Sequence, residues 1–164
     1  RKKTHLVTGY VHKPYPPIYA MLARHAGFDS ALTVRGVEGG VIPSLRQAGK
    51  ATRYQDHGEE YEIDFDPASL GIAQTARAVP LPDSLPRIER EDDVAIAVDI
   101  QATAKAAAAA GLAALGGEKS ATYDSLVLAG SLILHHLGRT SSLAAAAEQV
   151  RAALDSGRAA ARVR

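Results

Sequence analysis

Apolar positions recur along this chain with two periods, and the change of period divides it. Thr4 to Tyr10 (Thr-His-Leu-Val-Thr-Gly-Tyr) reads as a short strand with an aromatic end. Pro14-Tyr15-Pro16-Pro17 follows, and proline is tolerated in the first turn of a helix, where a missing N–H leaves no bond unmade. Ile18, Met21, Leu22 and Ala26 recur at spacings of three and four, which predicts one apolar helical face, and Gly27 ends the helix. Ala31 to Arg35 reads as a second strand, so residues 4–35 form a β-α-β unit. Such a unit pairs parallel strands through a right-handed crossover.

Between Ala51 and Phe65 the pattern predicts two antiparallel strands around Asp56-His57-Gly58, with Tyr61, Ile63 and Phe65 alternating with Glu62 and Asp64. Pro80, Pro82 and Pro86 mark a loop. Asp92 or Asp93 is placed to cap a long helix from about residue 93 to Leu115, ended by Gly116-Gly117. A second helix is predicted over about 121–137. A third is capped by Ser141 or Ser142, runs to Leu154 and stops near Gly157. Arg158 to Arg164 continues a helix or frays. The expected fold class is α/β: a sheet with at least one parallel β-α-β unit and an antiparallel hairpin, followed by three C-terminal helices.

Composition narrows this reading. The chain has 164 residues, enough for one core-bearing domain. It has no Cys, which excludes disulfides, thiolate metal sites and Cys nucleophiles. Of its 32 Ala, 20 lie in residues 101–164, and packing of the helices against the sheet is their expected role. No run approaches the ~18 apolar residues of a membrane span. Arg1 opens the sequence and the only Met is Met21, which sets the expectation of a fragment of a longer protein. The formal net charge of +1 hides an asymmetry: residues 1–57 carry +6, residues 58–100 carry −8 and residues 101–164 carry +3. The basic first third, with His5, His12, His25 and His57, is suited to attract phosphates or nucleic acid. Solvation or pairing of the two segments explains the same asymmetry without a ligand.

Gly36-Val37-Glu38-Gly39-Gly40 follows the second strand directly, and three Gly in five residues allow close backbone approach. The carboxyl end of a parallel strand is where open α/β sheets place ligands, so this run is either a ligand or phosphate loop or an ordinary connection. It matches neither G-x-G-x-x-G nor the P-loop pattern. Arg35 is placed to hold phosphate or carboxylate bidentately, or to pair with Glu38. His135-His136 is adjacent in a predicted helix, so the two side chains diverge by about 100° and do not readily grip one metal. At least one is expected at a surface or interface. Glu59-Glu60 reads as a solvated strand start. H-E-x-x-H, G-x-S-x-G and EF-hand motifs are absent from the sequence.

The order of pieces carries a resemblance. Leu6-Val7-Thr8-Gly9-Tyr10, a helix, and then Ala31-Leu32-Thr33-Val34-Arg35-Gly36-Val37-Glu38-Gly39 resembles the anthranilate phosphoribosyltransferase family (glycosyltransferase family 3). That family has a Val-Val-His-Gly-x-Asp-Gly-Leu-Asp-Glu motif here. Tyr61-Glu62-Ile63-Asp64-Phe65-Asp66-Pro67 with Leu70-Gly71 is similar to its acidic region, and Leu154 to Ala160 looks like its last helix. The resemblance implies that residues 1–164 are the C-terminal part of its α/β domain. The N-terminal helical domain and the pyrophosphate-binding Gly-Thr-Gly-Gly-Asp loop are then absent from this chain. Gly36 and Gly39 match, Arg35 stands where the enzymes have His, and Glu38 stands where they have Asp. The family's Mg²⁺-holding Asp-Glu pair falls on Val41-Ile42, whose side chains offer no oxygen ligands.

The implied function is therefore a phosphate- or nucleic-acid-binding scaffold not competent for anthranilate transfer. The YbiB-type branch, which binds nucleic acid, also carries Arg-Gly-x-Glu-Gly at this loop. The alternative is transfer of a phosphoribosyl group from phosphoribosyl pyrophosphate to an unknown acceptor. The binding candidates are Arg35, Gly36, Glu38, Gly39 and Gly40, with no catalytic residue and no metal ligand assigned. No cofactor is expected in this chain; Mg²⁺ and phosphoribosyl pyrophosphate belong to a full-length parent. The expected partners are nucleic acid or a phosphorylated small molecule, with no membrane, a homodimer in the full-length protein, and cytoplasmic residence.

Overall fold

The computed structural model describes residues 2–80, 85, 87–88 and 97–163. Strand β1 (His5–Tyr10), helix α1 (Tyr15–His25) and strand β2 (Ser30–Arg35) form the expected unit, with β1 and β2 parallel and Leu6 level with Ala31. Strands β3 (Gly49–Tyr54) and β4 (Tyr61–Phe65) complete a mixed sheet of order β1-β2-β3-β4, the last two pairings antiparallel. The β3–β4 turn falls where the sequence places it. Asp56 and His57 there take φ of 48° and 60°, a left-handed conformation that Asp and His tolerate better than branched residues.

Three helices follow, as the sequence predicts: α2 (Ile100–Leu115), α3 (Ala121–His136) and α4 (Leu143–Asp155). Each has a side-chain N-cap. Asp99 accepts from the Gln101 and Ala102 amides, Ser120 from Tyr123, and Ser142 from Ala145. The predicted start of α2 near residue 93 is corrected. Ala97–Val98 is extended and pairs with Arg87–Ile88, which leaves Asp99 as the cap. Asp92 and Asp93 lie outside the described residues, as do Pro82 and Pro86. After α4 the chain makes one 3₁₀ turn, Ala160–Arg162.

The apolar face predicted for α1 is also corrected. Ile18, Met21 and Leu22 are 42%, 59% and 53% exposed, while Pro16, Ala20 and Ala23 are buried. Small side chains let the helix settle closely over Ala31 and Tyr54, and the bulky residues turn outward. On the other side of the sheet, Leu32, Val34, Ala51 and Phe65 meet Val127, Leu128 and Leu132 of α3 and Leu154 of α4 in the main core. A Cβ on Gly130 would come within 2.9 Å of Val150 Cγ2, so α3 and α4 pack as closely as they do because Gly stands there. The Asp155 carboxylate, bonded by Lys119 (2.6 Å) and the Tyr123 hydroxyl (2.8 Å), closes that pair.

The two adjacent histidines are placed differently from each other. His136 is fully buried and His135 half-buried, because the carboxyl end of α3 docks onto β2 and β3. Glu60 is not a free solvated group: it is ion-paired to Arg24 at 2.8 Å.

Candidate functional site

Alternation along the strands fixes which side chains share a face of the sheet. On the α1 side, Thr8, Thr33, Thr52 and Glu62 stand level across all four strands. Tyr10 and Arg35 stand level beyond them, and Lys50 pairs with Asp64. The eleven-residue helix α1 covers only the Leu6–Ala31–Tyr54 end of this face. The other end, at the carboxyl termini of β1 and β2, stays open and polar.

A cleft of about 670 Å³ occupies this uncovered half. Tyr10, Arg35, Lys50, Thr52 and Glu62 line it; Lys13, Pro16 and Pro17 of the α1 entry form one wall, and Ser44, Gln47 and Arg77 another. Its volume is within the range of small-molecule sites. Both carboxylates of its described lining are engaged: Glu62 with Lys50 at 2.7 Å, and Glu60 with Arg24. Lys50 also reaches Asp64 at 3.9 Å. Among the described side chains, Lys13, Arg35 and Arg77 form no ion pair or hydrogen bond, so the described lining carries uncompensated positive charge. Burial pushes the Tyr10 phenol up, against the opposing pull of Arg35. Tyr10 therefore remains a neutral hydroxyl donor beside that guanidinium.

The glycine run sits at the same end of the sheet but presents little to the cleft. Val37–Gly39 forms one 3₁₀ turn. The Gly36 amide donates to Val34 O (2.9 Å), Val37 to Ile42 O (2.9 Å), Gly39 to Gly36 O (3.4 Å) and Gly40 to Val37 O (3.0 Å). Amides bonded inside their own loop do not cradle a phosphate. The loop instead folds back so that the Gly40 carbonyl lies against both Gly9 and Gly36. A Cβ at either position would overlap that oxygen. The glycines thus allow a backbone crossing over the strand ends, and among the described candidates only Arg35 lines the cleft. Gly36 is buried under the crossing, Gly39 is half-buried and Gly40 exposed; the Glu38 side chain, and with it an Arg35–Glu38 pair, lies outside the described residues.

Sequence reading missed Tyr10, Lys13, Lys50 and Arg77. The level pairing of Tyr10 with Arg35 rests on the register of β1 and β2, which the sequence, read as runs of seven and five residues, did not fix. Arg77 comes from a segment without regular structure and carried no signal. Val41 and Ile42 do not fit a Mg²⁺ site, as hydrocarbon side chains supply no oxygen. Among the described residues, no group of three or more His, Asp or Glu side chains converges to hold a metal. No family model matches the chain, and no curated protein matches its sequence.

Proposed function

We propose that this chain is a binding scaffold for phosphate-bearing ligands, nucleic-acid backbone foremost, held in the cleft beside Arg35. The observation that carries this reading is the set Lys13, Arg35 and Arg77, three cations lining one cleft without a carboxylate partner among the described side chains. Cations left unpaired in a concave site favour an anion. Arg35 offers a planar fork that matches two phosphate oxygens, and the Tyr10 hydroxyl adds a neutral donor. The resemblance to glycosyltransferase family 3 supports the same end of the sheet as a phosphate site, with this chain as the C-terminal part of such a domain. Val41 and Ile42 weigh against transfer chemistry there.

Fluorescence anisotropy with a labelled single-stranded oligonucleotide tests this. Wild-type affinity is expected to fall steeply between 50 and 200 mM salt, with each phosphate contact adding about 0.7 to the log–log slope. Arg35→Gln should lower affinity and reduce that slope by about 1 or less, and inorganic pyrophosphate should compete. Salt-independent affinity, or an Arg35→Gln protein that binds like wild type, would count against the cleft.

A further inference from the structure

We propose that neutral His136 latches the carboxyl end of α3 to the sheet, and that mild acid opens this latch locally while the sheet stays folded. The arrangement reaches across three strands. His136 Nε2 lies 2.9 Å from Ser30 Oγ on β2, and the same hydroxyl lies 2.7 Å from His5 Nδ1 on β1. Arg53 of β3 donates to the His135 carbonyl (3.3 Å), and Gln55 Nε2, just past the end of that strand, donates to the His136 carbonyl. These two side chains cap the last carbonyls of α3, where a cation also complements the helix dipole.

The central hydroxyl has one proton and sits between two imidazoles, so it donates to one ring and accepts from the other. His136 Nδ1 is buried and has no hydrogen-bond partner among the described residues. A buried lone pair without a partner is tolerated better than a buried N–H without one. The favoured tautomer therefore has His136 Nε2–H donating to Ser30, and Ser30 donating to His5. A further proton on His136 must go to Nδ1, where no described acceptor waits. Among the described residues, the charged or titratable groups acting on the ring are Arg53 from β3, His5 from β1 and His135 from its own helix, all of them basic. Burial, then these neighbours, push the imidazole down to about 4.

The sign follows from linkage. A histidine released from the latch takes up its proton near 6.5, whereas the latched one resists to about 4. Latching is at full strength above about pH 6.5 and weakens as pH falls from there toward 4. The segment released is the last turn of α3 and the start of its link to α4, residues 137–140. The core around Leu128 is one to two turns away from it.

Two measurements on the intact chain test this: NMR titration of the histidine rings, and residue-resolved hydrogen exchange at pH 7 and pH 5, corrected for intrinsic rates. The His136 ring is expected to titrate near 4. Amides of residues 133–137 should lose roughly twentyfold in protection at pH 5, the linkage expected for a group moved from 6.5 to about 4, while β2 and β3 amides hold theirs. His136→Gln, which keeps a donor but does not titrate, should show no such loss. A His136 midpoint near 6.5, an acid loss spread evenly over the sheet, or the same local loss in His136→Gln would overturn the latch. Should His136→Gln fail to fold, the wild-type titration and exchange pattern decide.

Discussion

Gly36→Ala is expected to destabilise this protein by about 3 kcal/mol, the upper end of what overpacking costs. The added methyl meets the Gly40 carbonyl, which is backbone and is held in place by the Gly40 N–H bond to Val37 O. No side chain is available to swing aside. At about 2–4 °C per kcal/mol for a chain of this size, the thermal midpoint should fall by roughly 6–12 °C. Gly111→Ala supplies the control. Gly111 lies inside α2 with nothing within 4 Å of a Cβ there, so the same substitution should stabilise by about 0.5–1 kcal/mol. Equal midpoints for the two variants would show that the loop does not cross Gly36 as described.

The second large effect separates the two apolar patterns of the chain. Leu128 of α3 is fully buried in the main core, and Leu128→Ala should cost about 2–5 kcal/mol. Leu22 belongs to an equally regular apolar spacing on α1, yet it is 53% exposed. Leu22→Ala should therefore change stability by no more than about 0.5 kcal/mol. Urea denaturation of both variants measures the contrast. A Leu22→Ala cost as large as that of Leu128→Ala would mean that α1 buries the face its spacing predicts.

This contrast shows where the sequence was legible. The β-α-β unit followed from Pro14 to Gly27 separating two short extended runs, and the hairpin from the strict alternation of Tyr61, Ile63 and Phe65. Strand pairing obeys a period of two regardless of what covers the sheet. The face of α1 did not follow, because hydrophobicity ranks Met21 and Leu22 above Ala20 and Ala23, whereas close packing on Ala31 and Tyr54 selects for small size. The start of α2 was misplaced because Asp92, Asp93 and Asp99 are all capping residues, and only backbone geometry picks one. At the candidate site, Arg35 was legible from its position at a strand end. Lys13, Lys50 and Arg77 come from three separate stretches, and the fold alone brings them to one cleft. The glycine run was legible as unusual, but the sequence left a ligand loop and an ordinary connection both open, since a backbone crossing and a phosphate cradle make the same demand for missing Cβ atoms.

Whether ligand binds at the uncovered half of the sheet is read by amide chemical-shift mapping during titration with a short single-stranded oligonucleotide. Basic groups also stand at the far end of the chain, at Arg158 and Arg162, so charge alone does not choose the location. The predicted result is saturable shifts at Tyr10, Lys13, Arg35, Lys50 and Arg77, reversed by added salt, with α3 and α4 undisturbed. Shifts concentrated at the Arg158–Arg162 end, or none at all at low salt, would rule out the cleft as the binding site.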